Sequence, residues 1–201
     1  MRKSRQPLVS KIGLSPRKKD VTHETCKWLQ ELSTFKIWSG DDTQHPGPLW
    51  IIGGPGKGKT HLATHLASQL GKRRITLKYF CDAGDILRST ELAVVLGLLN
   101  QLLEAEEPND LYEVISKRFA GKGRDLFNDD YITELWECLE QMIRTKALNH
   151  KVYLILYGLD ECKSSSRGRL VTQLRSICDQ IGLEMNPAKI VIFSRLLCLH
   201  H

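Results

Sequence analysis

The sequence contains no apolar run long enough to cross a membrane and no secretory leader. Its longest apolar stretch covers residues 92–103 and is interrupted by Asn100 and Gln101, whereas a membrane helix needs about 20 apolar residues. Residues 1–20 lack the apolar segment of a signal peptide. We therefore expect no membrane span and an intracellular, cytoplasmic protein.

Cysteine is present, but not in the patterns that bind zinc. The six cysteines form no CxxC pair, and none lies near a histidine at zinc-site spacing. We expect reduced thiols, in keeping with an intracellular location. They are Cys26, Cys81, Cys138, Cys162, Cys178 and Cys198.

Most of the chain has no charge excess. The net charge is +6, but residues 1–20 contain seven basic residues and one acidic residue, so the remaining residues carry equal numbers of each. The sequence thus predicts a basic, disordered tail over residues 1–20. We expect nucleic acid to bind such a chain only through non-specific, salt-sensitive contacts of this tail.

Apolar periodicity predicts an α/β fold. Short apolar runs indicate strands at 49–52, 75–80, 152–157 and 189–193, and helical periodicity falls between them. Strands that alternate with helices form a mostly parallel sheet covered on both faces. We expect helices near 22–32, 59–70, 89–103, 111–119, 132–143 and 170–181. The Ser-rich stretch before the last helix is predicted to be a loop, with Arg167 and Arg169 in solvent.

The clearest motif follows the first of these strands and fits the P-loop (Walker A) pattern GxxxxGK[ST] in full. Its glycines let successive backbone N–H groups face phosphate oxygens, and the following helix adds its positive end. Lys59 is expected to reach the β and γ phosphates, and the Thr60 hydroxyl to bind Mg²⁺. The sequence therefore predicts a site for ATP or GTP with Mg²⁺ and does not distinguish the two nucleotides. Its residues are Gly53, Gly54, Pro55, Gly56, Lys57, Gly58, Lys59 and Thr60.

Several segments together resemble a NACHT-type domain of the signal-transduction (STAND) ATPases, in the nephrocystin-3-like N-terminal branch. The matching segments are 25–29, 49–53, 79–82, 158–162 and 189–195. The resemblance implies a three-layer P-loop NTPase core at 49–201, preceded by a helical segment and loop at 21–48. It also implies that Asp160 and Glu161 contact the metal and polarise the attacking water, and that Arg195 senses the γ-phosphate. Members of this family are understood as switches, closed with ADP and oligomeric with ATP.

Two features depart from the family pattern. The family usually has Asp at the strand end where this chain has Tyr157, and Phe193 and Leu196 alter the turn around Arg195. We therefore expect nucleotide binding with slow or absent hydrolysis. The sequence also stops soon after the last predicted strand, so we expect a core truncated there. The edge of the 49–52 strand would then be open to a protein partner or to self-association.

Two other functions remain open. One is a non-catalytic interaction module, or a decayed fragment of a longer NACHT-repeat protein, which Tyr157 and the early end favour. The other is a small-molecule kinase on the same core, which would need an Arg-rich lid and an acceptor pocket. Phosphoryl transfer to an added acceptor would identify the kinase.

Overall fold

The computed structural model of the chain describes residues 10–13, 26–40, 47–70, 75–105, 109–147, 152–181 and 188–196. They form one sheet of five parallel strands in the order β1-β2-β5-β4-β3. The strands are β1 (Ser10–Gly13), β2 (Leu49–Ile52), β3 (Ile75–Phe80), β4 (Val152–Tyr157) and β5 (Ala188–Ser194). The four strands predicted from apolar runs are present, and the α/β class is confirmed.

The helices lie between the strands. They differ from the prediction mainly in the first helical segment, which is divided in two, and in the last helix, which begins earlier than expected. Lys27–Glu31 (α1) and Ser33–Ser39 (α2) replace the single helix expected at 22–32, because Leu32 is extended (ψ 130°). Residues 21–25 lie outside the described part. The other helices are α3 (Lys59–Leu70), α4 (Glu91–Glu104), α5 (Asn109–Lys122), α6 (Ile132–Ala147) and α7 (Ser164–Ile181).

The sheet lies between two apolar cores, as a three-layer fold requires. On β4, Leu154 and Leu156 pack into the core made with α4 to α7, whereas Tyr153 and Ile155 pack into the core made with α1 to α3. Successive side chains along a strand point to opposite faces of the sheet. A central strand that is covered on both faces must therefore be apolar throughout. This explains why β4 is recognisable from the sequence.

The first strand corrects the expectation that residues 1–20 are a disordered tail. Ser10–Gly13 pairs in parallel with the whole of β2, from Ser10 opposite Leu49 to Gly13 opposite Ile52. The prediction that the outer edge of β2 is open was therefore wrong. The prediction of self-association through that edge no longer has support, because β1 covers it. Pairing satisfies backbone groups that β2 would otherwise leave exposed along that edge.

The described helices include none with both the length and the apolarity of a membrane span. This agrees with the absence of a long apolar run from the sequence.

Candidate functional site

The predicted site segments meet at one edge of the sheet. The glycine-rich loop follows β2, the acidic pair lies in a 3-10 turn after β4, and Arg195 follows β5. Since the strands are parallel, their carboxyl ends share an edge, and β5 lies between β2 and β4. Ligands of open α/β sheets bind outside such an edge.

The glycine-rich loop bulges away from the sheet and then turns into α3. It begins with Gly53, whose N–H donates to the Ser194 carbonyl at 3.1 Å, and it rejoins helical geometry where Leu62 N–H donates to the Gly58 carbonyl at 2.9 Å. Gly56 and Gly58 have φ of +68° and +76°, and a Cβ added to either meets no atom within 4 Å. The glycines are therefore required by backbone conformation, and the space over them is open.

Lys59 is folded back onto this loop. Its ammonium group donates to the Gly53 carbonyl at 2.5 Å and to the Gly54 carbonyl at 2.8 Å, and the residue is 8% exposed. Burial lowers the pKa of Lys59, and the nearby carboxylate of Asp160 partly offsets that effect. Two carbonyls thus hold a buried positive charge in place at the start of α3.

The Thr60 hydroxyl is bonded to Tyr157, the residue that departs from the family pattern. The two oxygen atoms are 2.6 Å apart. The phenol ring stands at the end of β4 between aromatic side chains of both neighbouring strands, with centroids 5.4 Å from Phe80 and 6.2 Å from Phe193. The ring is therefore packed in position, and its hydroxyl occupies the side of Thr60 that faces β4.

Asp160 pairs with Arg195 through both carboxylate oxygens. Oδ2 lies 3.1 Å from the Arg195 Nε, and Oδ1 accepts from the Arg195 backbone N–H at 2.8 Å. The Asp160 side chain is 9% exposed and that of Arg195 is 55% exposed. The residue expected to contact metal and the residue expected to sense phosphate are thus joined to each other.

The turn before Arg195 is fixed by a contact that sequence reasoning missed. The Trp50 indole N–H donates to Ser194 Oγ at 2.7 Å, and that hydroxyl donates to the Arg195 carbonyl at 2.7 Å. Trp50 lies on β2, 144 positions away. No local pattern links two residues so far apart.

The acidic turn depends on a left-handed glycine. Gly158 has φ of +75°, and a Cβ there would lie 3.0 Å from the Cys81 carbonyl oxygen. Its N–H donates to the Phe193 carbonyl at 2.9 Å, and its carbonyl accepts from Glu161 N–H at 2.7 Å. Glu161 is half-buried beside this turn, and its charge, like that of Asp160, favours the protonated form of Lys59.

The helix after the turn corrects the expected Ser-rich loop. Residues Ser164–Ile181 form α7, so Arg167 and Arg169 lie on a helix and not in a loop, although the Arg169 side chain is 63% exposed, as expected of a charge in solvent. Arg167 donates to the backbone carbonyls of Cys162 (2.8 Å) and Asp160 (2.7 Å). These two bonds tie the start of α7 to the acidic turn.

Arg169 belongs to a separate network around a buried acid. Its Nε lies 2.6 Å from Glu91 Oε2, and the Trp136 indole N–H donates to Glu91 Oε1 at 3.0 Å. Glu91 is 2% exposed, so both partners compensate a carboxylate removed from water. The network joins α4, α6 and α7.

The two residues predicted to bind metal are each bonded to another side chain of the protein. Thr60 is bonded to Tyr157 and Asp160 to Arg195. Over the described ranges, no group of three or more His, Cys, Asp or Glu side chains is placed to hold a metal ion. A magnesium site at Thr60 and Asp160 stays a prediction.

Comparison with known proteins gives one family match and one informative relative. The family model described as Nephrocystin 3, N-terminal matches residues 24–195. The Vegetative incompatibility protein HET-E-1 of Podospora anserina is 26% identical over 193 residues, which cover 94% of this chain and 14% of that protein. This chain therefore spans about a seventh of the relative's length. No solved structure matches this chain.

The chain belongs to the Nephrocystin 3, N-terminal family, because the family model covers most of its length. The match includes the glycine-rich loop, the acidic turn and the end of β5. At the level of the family, it supports the NACHT-like nucleotide-binding domain that the motifs predict.

Proposed function

We propose that this domain binds the phosphates of ATP or GTP at Gly53–Thr60, as the nucleotide-binding part of a NACHT-type signalling switch. The observation that carries this proposal is the conformation of the loop with Lys59. Two left-handed glycines leave open space above the start of α3, and a buried ammonium group lies at its base. A concave backbone with inward N–H groups and one positive charge suits a polyphosphate.

Phosphate binding requires Lys59 to exchange partners. Its ammonium group is held by the Gly53 and Gly54 carbonyls, which offer partial negative charge, whereas phosphate oxygens carry full charges. Both kinds of bond have a charged donor, but the full negative charge of a phosphate oxygen attracts the ammonium group more strongly than the partial charge of a carbonyl oxygen does. The loop carbonyls thus keep the charge positioned until an anion replaces them.

We further propose that hydrolysis is slow or absent. A bound Mg²⁺ would neutralise charge that develops on the phosphates during transfer, and Thr60 and Asp160 are the residues that would contact it. In this chain the Thr60 hydroxyl is bonded to a neutral phenol, and the Asp160 carboxylate is bonded to Arg195. The end of β4 thus offers a neutral phenol where a carboxylate would order the waters of the metal, and Arg195 already neutralises part of the Asp160 charge.

The test is a titration of ATP, ADP and GTP with and without Mg²⁺, with phosphate release followed in the same samples. We expect saturable binding that depends weakly on Mg²⁺, and little turnover. The matched variant is Lys59→Ala, which removes the charge but leaves the loop backbone. Unchanged affinity in a folded Lys59→Ala variant would exclude the loop as the binding site.

A non-catalytic interaction module is the second candidate, and the Asp160–Arg195 pair favours it. If the family's metal-contacting and phosphate-sensing residues remain paired with nucleotide bound, the nucleotide serves as a structural ligand. Nucleotide then raises the melting temperature without any turnover. The kinase alternative loses its support, because Arg167 and Arg169 bind the acidic turn and Glu91 instead of lining a lid.

A further inference from the structure

Two cysteine side chains meet beneath the acidic turn, although they are 81 positions apart in the sequence. Cys81 follows β3, and Cys162 ends the 3-10 turn that contains Asp160. Their Sγ atoms are 2.8 Å apart, and both residues are buried, at 3% and 1% exposure. A disulfide bond is about 2.05 Å long, so the sulfur atoms need to approach by less than about 1 Å to bond.

The backbone on both sides already holds the two residues together. Cys81 N–H donates to the Tyr157 carbonyl at 2.9 Å, and the Cys162 carbonyl accepts from Arg167 Nε at 2.8 Å. Gly158 brings the turn so close that an added Cβ would lie 3.6 Å from the Cys81 Cβ. Bond formation therefore needs a small side-chain adjustment and no rearrangement of the sheet.

We propose that Cys81 and Cys162 form a dithiol site that hydrogen peroxide closes into a reversible disulfide, which fixes the acidic turn to the end of β3. One thiol loses its proton, and its sulfur attacks a peroxide oxygen. The O–O bond breaks, giving a sulfenic acid and, with that proton, one water. The second thiol then displaces hydroxide from the oxidised sulfur, forming the S–S bond and a second water. Two thiols are oxidised and one hydrogen peroxide is reduced to two waters. A small dithiol reverses the bond by two exchanges and is itself oxidised to a disulfide.

The surroundings make this reaction slow and selective for small oxidants. The bond with Cys162 and burial both raise the pKa of the Cys81 thiol, so little thiolate is present at neutral pH. Burial also keeps bulky disulfide reagents away from both sulfur atoms. A hydroperoxide is small enough to reach such a site during local opening.

The test is peptide mapping of the full chain after treatment with hydrogen peroxide, with remaining thiols blocked under denaturing conditions. We expect a linked Cys81–Cys162 peptide pair as the main cross-link, absent from Cys162→Ser and retained in Cys138→Ser. Cys138 is the matched control because it is also fully buried. Recovery of Cys81 and Cys162 as separately blocked or separately oxidised thiols, while other cysteines react, would overturn the proposal.

A second measurement tests whether the bond fixes the turn. The disulfide closes a long loop, so the melting temperature should rise by about 5–15 °C on oxidation, and amide exchange should slow across residues 158–162. Dithiothreitol should reverse both effects. An oxidised chain with the cross-link but with unchanged exchange in this turn would refute the proposed fixing of the turn.

Discussion

Replacement of Tyr157 separates two reasons for weak hydrolysis, a blocked hydroxyl and a missing carboxylate. Tyr157→Phe removes only the oxygen that is 2.6 Å from Thr60 Oγ1 and keeps the packed ring. Tyr157→Asp removes the ring and adds a carboxylate at the end of β4. If the site works as proposed, the two variants should differ in turnover.

The contacts of Tyr157 allow the expected changes in affinity and in stability to be estimated for each variant. The Tyr157–Thr60 bond is worth about 0.5–1.5 kcal/mol, so Tyr157→Phe should alter Mg²⁺-dependent affinity by at most about tenfold. Loss of the half-buried ring, which touches Phe80 and Phe193, should cost Tyr157→Asp about 1–3 kcal/mol of stability. The melting temperature of that variant should therefore fall by several degrees while the fold persists.

Turnover is the deciding measurement. We expect Tyr157→Asp to release phosphate at least about tenfold faster than the unaltered chain, equivalent to about 1.4 kcal/mol of barrier, and to gain a stronger Mg²⁺ dependence. Tyr157→Phe should show no such gain, because it supplies no negative charge. If the unaltered chain hydrolyses ATP as fast as Tyr157→Asp, then Asp160 or Glu161 meets the metal requirement and the interpretation of Tyr157 is wrong.

Four further outcomes are expected. Lys59→Ala should lower ATP affinity by about ten- to a hundredfold, through loss of a charge-assisted bond worth about 1.5–3 kcal/mol, as calorimetric titration would show. Gly158→Ala should destabilise the fold by about 1–3 kcal/mol in urea unfolding, because φ is +75° and the new Cβ meets the Cys81 carbonyl, whereas Gly168→Ala in α7 has open space and should not destabilise. Glu91→Ala should cost about 2–4 kcal/mol by leaving the Trp136 indole N–H without its acceptor, and exposed Glu104→Ala is the control, expected near zero. Removal of residues 1–13 should cause self-association in light scattering, because it uncovers β2.

The strands that the sequence revealed are those whose burial demands apolar side chains. Every residue of β5 is buried, and β4 is buried up to Tyr157, so β4 appears as a continuous apolar run and β5 as the shorter run Ile190–Phe193. β1 has the sequence Ser-Lys-Ile-Gly, and its strand conformation comes from pairing with β2 rather than from its own composition. Propensity is a weak guide for such a strand, because the partner edge decides its conformation.

The residues that lie together at this sheet edge could be named from the sequence, but their contacts with one another could not. The motif located Lys59 and Thr60 at the start of α3, and the family resemblance located Asp160, Glu161 and Arg195 at the same sheet edge. Contacts such as Thr60 with Tyr157 join residues 97 positions apart, and they depend on how the strand ends align. The helix over Ser164–Ser166 was missed for a similar reason, since the bonds from Arg167 to the acidic turn support its first turn.

The residues expected to meet nucleotide and metal already have partners within the chain. Lys59 is bonded to loop carbonyls, Thr60 to Tyr157, and Asp160 to Arg195. Ligand binding must break some of these bonds, so the measured affinity is the difference between old and new contacts and not the sum of the new ones. The Lys59 exchange favours phosphate, because an ionised acceptor replaces neutral ones. An exchange at Asp160 gains less, because a metal ion there replaces a cation, Arg195, with which the 9% exposed carboxylate is already paired. We therefore expect phosphate binding to leave the acidic turn unchanged, and direct contact of Asp160 with a metal ion to compete with its pairing to Arg195.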